Sequence, residues 1–161
     1  MEVKDLIIIG AGPSGVSAAI YAKRANLDFI IFEKFAIGGQ VINAFEIENY
    51  PGFNKIFGSD LAINFMNNLT ALNVEVKYEE VVSLEKKEDI FILKTSLDNV
   101  YYAKNVILAL GSNPRKLNLP NEDQFTGRGI SYCAMCDGNF YKDKDTLVYG
   151  GGNSAISEAL F

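Results

Sequence analysis

The sequence predicts an α/β fold, in which a parallel sheet with an added three-stranded β-meander is followed by the start of a second α/β domain. Three observations support this fold class. A buried strand, a glycine-rich turn and a helix are predicted in succession from Lys4 to about Ala25, and a second glycine-rich turn begins at Gly150. Between them, three short segments separated by polar turns are typical of an antiparallel meander. With 48% hydrophobic residues among 161, the chain can bury a substantial core.

The first predicted elements form a βαβ unit. The strand Lys4–Ile9 includes the continuous apolar run Leu6–Ile9, which is typical of a strand buried on both faces of a parallel sheet. A helix from about Ser14 to Ala25 and a second apolar strand, Phe29–Phe32, follow. A unit of this kind joins two parallel strands through a right-handed crossover.

The middle of the chain is predicted to contain a loop, a helix and further strands. The loop runs from Lys34 to about Ser59, and Ser59 or Asp60 can cap a helix that ends near Leu72. The predicted strands are, in order, Glu75–Tyr78, the meander strands Val81–Lys87, Ile90–Thr95 and Val100–Ala103, and a buried strand Asn105–Leu110, which Gly111 ends.

Two domains are predicted. Residues 1–111 form the first, residues 112–120 form a linker or hinge, and residues 121–161 begin the second. The second domain is predicted to contain a strand, Thr146–Tyr149, then a glycine turn and a helix, Ser154–Phe161. Because no second strand follows that helix in the sequence, we expect the second domain to be incomplete and the chain to be a fragment.

Composition narrows the classes of function. Lys and Arg number 15 against 20 Asp and Glu, and this net charge of −5 argues against a protein that binds nucleic acid or an anionic membrane. The sequence contains no histidine, which excludes an imidazole base and histidine-ligated metals from these residues. Its two cysteines form one close pair rather than a disulfide framework, which indicates a cytoplasmic protein.

Two glycine motifs predict dinucleotide sites. The turn Gly10–Gly15 has the pattern G-x-G-x-x-G between a strand and a helix, where the backbone can approach a pyrophosphate and the helix offers free N–H groups. Glu33 ends the second strand, where a carboxylate can accept hydrogen bonds from a ribose. The turn Gly150–Ala155 repeats the pattern. Both domains are therefore predicted to be Rossmann-like, as in a flavin enzyme that also binds a nicotinamide. The alternative for either turn is glycine required only for packing.

The segment Cys133-Ala134-Met135-Cys136-Asp137 is the candidate for reactivity. Two cysteines at this spacing suit a disulfide that opens and closes within one turn. Asp137 is the only carboxylate next to either cysteine in sequence, which makes it the candidate general acid or base. A zinc site is the main alternative, but structural zinc needs four ligands and the chain lacks another CxxC, so no metal is predicted. Two inert cysteines are the other alternative.

These motifs together resemble those of the bacterial low-molecular-weight thioredoxin reductases, class II members of the pyridine nucleotide-disulfide oxidoreductase family. The similarity covers the entire chain, and the cysteine pair lies beyond the linker, as in that family. The matching segments are Ile8–Gly15, Ile20–Ala22, Gly38–Gln40, Ile47–Gly52, Gly127–Gly138 and Gly150–Ala155. The resemblance implies a homodimeric enzyme in which NADPH reduces FAD, FAD reduces the cysteine disulfide, and the dithiol reduces thioredoxin.

The resemblance also implies roles for individual residues. Cys136 would face the flavin, Cys133 would attack the disulfide of thioredoxin, and Asp137 would handle the proton. FAD would be held by Gly10, Gly12, Pro13, Ser14, Gly15, Glu33, Lys34, Gly38, Gly39, Gln40, Asn49, Ala109 and Gly111. NADPH would be held by Gly150, Gly151, Gly152, Asn153, Ser154 and Ala155.

The sequence departs from the family at two points. Leu110 stands where the family often has threonine, and the family is about twice as long as this chain. The resemblance therefore implies that the first domain, residues 1–111, is also incomplete. The residues that select NADPH over NADH would lie beyond Phe161, and we expect the 161 residues alone to hold FAD weakly and not to turn over. The alternative functions are the flavoprotein subunit of alkyl hydroperoxide reductase and an isolated flavin-binding module.

Overall fold

A six-stranded sheet with helices packed on it forms the first of two units, Met1–Gly111. The computed structural model describes residues 2–160, apart from the side chains of Met135 and Cys136. Along the chain, the elements of this unit are β1 (Val3–Ile9), α1 (Pro13–Arg24), β2 (Phe29–Phe32), a 3₁₀ helix (Gly39–Asn43), β3 (Glu46–Ile47), β4 (Ile56–Phe57), α2 (Gly58–Ala71), β5 (Val76–Lys77), β6 (Val81–Lys87), β7 (Ile90–Thr95) and β8 (Val100–Leu108). The strand order is β5-β2-β1-β8-β7-β6; the first four strands are parallel, and β7 runs antiparallel to both β8 and β6. The predicted α/β class is confirmed.

Strand β1 is the centre of the core because both of its faces are covered. Leu6 and Ile8 pack with residues of α1 and α2, whereas Ile7 and Ile9 pack with residues of β2, β7 and β8. Ile7 and Ile8 are completely buried. Each such side chain stabilises the fold by roughly 1.5–3 kcal/mol through its removal from water. The prediction that this run is buried on both faces is confirmed.

Strand β8 is one continuous element of nine residues, where the sequence predicted two strands. Residues 100–103 pair with β7, and residues 102–108 pair with β1. The polar residues in its middle do not interrupt the strand, because Asp5 of β1 binds both of them: the Asn105 amide donates to the Asp5 carbonyl at 3.1 Å, and Lys104 pairs with the Asp5 carboxylate at 2.7 Å. The predicted burial of this segment is also wrong, since Leu108 and Leu110 are more than half exposed.

The segment between β2 and α2, predicted as a loop, contains the 3₁₀ helix and the antiparallel pair β3–β4. The rings of Phe45 and Phe57 pack edge to face across this pair, with centroids 5.5 Å apart. The helix α2 begins at Gly58, where the chain passes very close to the 3₁₀ helix. A Cβ on Gly58 would lie only 2.1 Å from the carbonyl oxygen of Val41, so only glycine fits there.

The second unit, Ser112–Phe161, consists of short helical elements and turns. Its elements are α3 (Glu122–Phe125), α4 (Ala134–Asp137), a 3₁₀ helix (Gly138–Tyr141) and α5 (Asn153–Leu160). The strand predicted at Thr146–Tyr149 is wrong: this segment pairs with no strand in the part of the chain that the structure describes, and Leu147 is 91% exposed. A strand needs a neighbour for its backbone hydrogen bonds. Phe161, predicted to end the last helix, lies outside the described residues.

Residues 112–120, the predicted linker, form no helix or strand. Within residues 2–160, no helix is long and apolar enough to cross a membrane.

The carboxylate of Glu79, between β5 and β6, binds side chains of β7, of β8 and of the turn between them. One oxygen of Glu79 accepts hydrogen bonds from Thr95 at 2.6 Å and Asn99 at 3.1 Å, and the other accepts one from Tyr101 at 2.8 Å. Burial acts to raise the pKa of Glu79, but these hydrogen bonds outweigh it and the pKa is lowered. Burial, together with the Glu79 carboxylate, raises the pKa of Tyr101 to about 12.

We predict that Glu79→Gln lowers the free energy of unfolding at neutral pH by about 1 kcal/mol, because hydrogen bonds to a charged acceptor are lost. The pKa of Glu79 is lower in the folded state, so its contribution is complete above the unfolded pKa and disappears as the pH falls through the folded pKa. Urea unfolding at about pH 7 and about pH 3 measures this, with the exposed Glu85→Gln as the matched control. A stability difference between parent and Glu79→Gln that stays constant over this range would contradict the prediction.

Candidate functional site

The first glycine turn, Gly10–Gly15, connects β1 to α1 and brings backbone segments into close contact. Gly10 has a φ of +102°, and a Cβ there would lie 2.3 Å from the carbonyl oxygen of Ala109, which follows β8. A Cβ on Gly15 would lie 1.8 Å from the carbonyl oxygen of Gly10. No side chain fits at either position, so these two glycines are required for the packing of α1 against the sheet.

Gly12 differs from these two, because no conformational or steric demand within the chain requires a glycine there. Its φ of −72° and ψ of −175° are open to any residue, and the atom nearest to a Cβ on Gly12 would be the Gly38 oxygen at 4.0 Å. Gly12 is the N-cap of α1, where no side chain caps the helix and the first N–H groups have no intrahelical partners. Open space and free N–H groups are what a pyrophosphate needs, so these residues fit a dinucleotide.

Glu33 lies next to the first glycine turn, and its carboxylate binds the backbone. One oxygen accepts the N–H of Ala11 at 2.8 Å and the other accepts that of Phe35 at 2.9 Å, and the residue is only 8% exposed. The N–H of Gly38 donates to the Ala11 carbonyl at 2.8 Å. These contacts fasten the loop after β2 to the turn. A carboxylate oxygen can accept more than one hydrogen bond, so these contacts leave Glu33 able to bind a ribose as well. The contact of Glu33 with a ribose stays a prediction.

Most of the other predicted FAD residues lie at or near the carboxyl ends of β1, β2 and β8. They are Pro13, Ser14, Gly38, Gly39, Ala109 and Gly111. The remaining three make other contacts or are exposed. Lys34 pairs with Glu80 at 3.6 Å, and the Gln40 side chain accepts a hydrogen bond from Asn43 at 3.1 Å. Asn49 lies in an exposed bend after β3. Contacts between these residues and FAD stay predictions.

The cysteine turn, Cys133–Asp137, lies in the second unit and includes α4. The N–H of Asp137 donates to the Cys133 carbonyl at 3.0 Å, which closes one helical turn. The Ser131 hydroxyl donates to the Asp137 carboxylate at 2.7 Å and accepts the N–H of Cys133 at 3.1 Å. Ser131 therefore holds the Asp137 carboxylate close to the backbone of Cys133. The predicted pairing with Cys136 concerns a side chain that lies outside the described residues.

Tyr132, which precedes Cys133, is held by a buried carboxylate. Its hydroxyl donates to Glu122, which also accepts the N–H groups of Leu117 at 3.1 Å and Leu119 at 3.0 Å. Glu122 is 5% exposed. The hydrogen bond from Tyr132, with those from the backbone, lowers the pKa of Glu122, and the same bond raises the pKa of Tyr132.

Sequence reasoning missed Ser131, Tyr132 and Glu122. A serine two residues before Cys133 has the spacing of a local side-chain-to-backbone turn, and this signal could have identified Ser131. Glu122 lies 10 residues from Tyr132, a separation that matches neither the helical nor the strand period. Only the folded backbone brings those two side chains together.

The second glycine turn, Gly150–Ala155, is formed locally without the strand that was predicted to precede it. Gly150 has a φ of +142°, and a Cβ there would lie 3.1 Å from the Cβ of Ala155. The turn and the first residues of α5 include all the residues predicted for NADPH: Gly150, Gly151, Gly152, Asn153, Ser154 and Ala155. They are close in space, and their contacts with a nucleotide stay predictions.

Two glycine turns and a cysteine pair in one chain are typical of redox proteins that exchange electrons between nucleotide cofactors and a disulfide. Comparison with known families leads to the same class of protein. The chain belongs to the pyridine nucleotide-disulphide oxidoreductase family, whose sequence profile matches residues 4–161.

Relatives and solved structures to which this chain is similar are named thioredoxin reductases, the family that the resemblance indicated. The thioredoxin reductase of Mycoplasma pneumoniae is 48% identical over 99% of this chain and 50% of its own length. The solved thioredoxin reductase of Streptococcus pyogenes is 47% identical, with a TM-score of 0.83 over 98% of this chain and 51% of that one. A ferredoxin-flavin thioredoxin reductase from Clostridium acetobutylicum is 37% identical, with a TM-score of 0.68 over 88% of this chain and 49% of that one. The chain spans about half the length of the curated relatives it matches.

We predict that Gly12→Ala weakens FAD binding at least about tenfold while changing the free energy of unfolding by less than about 0.5 kcal/mol. The added methyl group occupies the space above the turn without meeting the chain. Gly15→Ala is the contrasting variant, because its Cβ meets the Gly10 carbonyl, and we expect it to destabilise the fold by roughly 1–3 kcal/mol or more. Fluorescence titration with FAD and urea unfolding separate the two effects. Parent-like FAD affinity in Gly12→Ala would refute the assignment.

Proposed function

We propose that this chain acts in a thioredoxin reductase, which transfers electrons from NADPH through FAD to a Cys133–Cys136 disulfide and from there to thioredoxin. Membership of the disulphide oxidoreductase family supports the class of reaction, and the relatives named thioredoxin reductase support thioredoxin as the partner. A homodimer in the cytoplasm is part of the same proposal and comes from the resemblance to that family.

The proposal rests on the geometry of the cysteine turn. Cys133 has no free thiol in the structure, and it directly precedes the helical turn that ends at Asp137. Ser131 binds both the Asp137 carboxylate and the Cys133 backbone, so a group that can transfer protons is held close to Cys133. In a chain without histidine, a carboxylate fixed in this way is suited to exchange protons with sulfur.

The cysteines perform the transfer to thioredoxin by thiol–disulfide exchange. Reduction of the Cys133–Cys136 disulfide breaks its S–S bond with two electrons and two protons and leaves two thiols. Cys133, as a thiolate, attacks one sulfur of the thioredoxin disulfide, which forms a mixed disulfide and releases the other thioredoxin sulfur to take up a proton. Cys136 then attacks the Cys133 sulfur, restores the original disulfide and releases the second thioredoxin thiol. Asp137 accepts and returns the protons of these steps.

The cofactor assignments follow from the two glycine turns. The open space at Gly12 supports FAD at the first, and the second supports a nicotinamide nucleotide. When bound, FAD supplies the route by which a donor's electron pair reaches the disulfide. Because the chain is also similar to a ferredoxin-flavin thioredoxin reductase, the identity of the electron donor has to be tested. The same assay should therefore compare the rates of thioredoxin reduction with NADPH, NADH and reduced ferredoxin.

Thioredoxin is favoured over the alternatives that the sequence left open. Relatives named thioredoxin reductase match over 99% of this chain, and no observation on the described residues favours an alkyl hydroperoxide reductase subunit. An isolated flavin-binding module would bind FAD and show no activity that depends on the cysteines.

We predict that activity with thioredoxin depends on both cysteines. Because the chain spans about half the length of its relatives, the assay uses a chimera in which the second half of the Mycoplasma pneumoniae relative follows Phe161. NADPH oxidation that depends on thioredoxin should fall at least about a hundredfold in Cys133→Ser and in Cys136→Ser, since neither variant can form the disulfide. Asp143→Asn, an exposed change in the same unit, is the control. Full activity in a variant lacking both cysteines would overturn the mechanism.

We also predict that the 161-residue chain alone retains little FAD and does not reduce thioredoxin. Part of the FAD site is expected to come from the half of the relatives that this chain does not span, so FAD should be held weakly. The second glycine turn, proposed for the nicotinamide nucleotide, has no paired strand behind it among the described residues, so its N–H groups are poorly fixed for that nucleotide and turnover is not expected. Flavin absorbance after gel filtration, followed by the NADPH assay, measures both properties. Stoichiometric retention of FAD, or turnover by the chain alone, would contradict the prediction.

A further inference from the structure

Glu158 of α5 contacts the first residue of the helix within the cysteine turn. Its carboxylate accepts a hydrogen bond from the backbone N–H of Ala134, which directly follows Cys133 and begins α4. The two bonded residues are 24 positions apart in sequence, and Glu158 is half-buried. Neither the proton transfer assigned to Asp137 nor the second glycine turn uses Glu158, so its role in the site is unassigned.

The contact occupies a group that would otherwise stabilise a thiolate. The first N–H groups of a helical turn have no intrahelical partners, and free N–H groups near a cysteine favour its thiolate form. Here the Ala134 N–H is bound by a carboxylate instead. A negative charge close to a sulfur also disfavours the thiolate directly. Both effects act in the same direction on Cys133.

The elements packed around the cysteine turn add no positive charge. The 3₁₀ helix Gly138–Tyr141 and α5 both pack against α4. Apart from Cys136 on α4, the titratable residues on these three elements are Asp137, Tyr141 and Glu158. A further carboxylate, Glu122, is bonded to Tyr132 immediately before Cys133. The charged side chains on the three elements are therefore all carboxylates.

We infer that Glu158 is a positioning residue of the cysteine turn. By binding the Ala134 N–H, the Glu158 carboxylate places a negative charge next to the residue that follows Cys133, and it thereby raises the pH at which Cys133 becomes a thiolate. The inference deepens the proposed function and rests on it only for its meaning in turnover, because the reactivity of the thiol is measurable without FAD, NADPH or thioredoxin.

The test uses the full chain with Cys136→Ser, in which Cys133 is the single cysteine. The rate of alkylation by iodoacetamide, a neutral reagent, is measured from about pH 5 to about pH 10. Glu158→Gln keeps an oxygen that accepts the Ala134 N–H and removes the charge, whereas Glu158→Ala removes both. Asp143→Asn is the matched control, since Asp143 is exposed and its φ of +60° is one that asparagine adopts readily.

We expect Glu158→Gln to move the midpoint of the pH profile down by at least about half a pH unit, which is roughly a threefold faster alkylation near pH 7. Glu158→Ala should move it in the same direction, and Asp143→Asn should leave it unchanged. A profile for Glu158→Gln equal to that of the parent, or equal shifts in Glu158→Gln and Asp143→Asn, would overturn the inference. Circular dichroism of each variant shows that the fold is kept. If the chimera with both cysteines did not reduce thioredoxin, the proposed function would be refuted, and these measurements of thiol reactivity would still stand.

Discussion

The close approach of the first glycine turn to the ends of β1 and β8 is the constraint on which the first unit depends. Gly15 meets the Gly10 carbonyl and Gly10 meets the Ala109 carbonyl at distances that leave no room for a Cβ. The helix α1 therefore begins directly at the end of β1, and Val16 is buried in the same cluster as Ile8. If the helix moved outward to admit a methyl group, that cluster would lose its close packing, and the N-terminus of α1 would no longer be held at the edge of the sheet.

The parts of this fold that were predicted well are those whose pattern depends on burial alone. The run Leu6–Ile9 is apolar because it is covered on both faces, and the periodic apolar residues of α2 include Leu61, Phe65 and Leu69, which are buried. The errors occur where pairing decides the outcome. Lys104 and Asn105 have the composition of a break between strands, yet Asp5 on the neighbouring strand binds both and the strand continues. Local composition does not reveal such a partner, because it lies about a hundred residues away in sequence.

The residues of the candidate site also fall into two groups, those that can be predicted from local sequence spacing and those that depend on contacts distant in sequence. The glycines, the cysteine pair and Asp137 could be identified from spacing, because backbone geometry and sulfur chemistry impose that spacing directly. The groups that hold the cysteine turn in place could not be identified in this way. Glu122 bonds to Tyr132 and Glu158 bonds to Ala134, and neither separation in sequence matches a helical or strand period. Residues that bond to a reactive segment are therefore harder to predict than the reactive segment itself.

The two glycine turns show why a sequence motif is insufficient to make a nucleotide site. The first follows β1, which has β2 on one side and β8 on the other, so the N–H groups at the start of α1 are held by a buried sheet. The second follows Thr146–Tyr149, which pairs with no strand among the described residues, and none of the residues of α5 is buried. Hydrogen-bond donors stabilise a bound phosphate most when they are ordered before it arrives, because otherwise binding must also supply the cost of ordering them. Similar glycine spacing at the two turns is therefore expected to give unequal affinity, and the difference comes from the strands on either side rather than from the glycines.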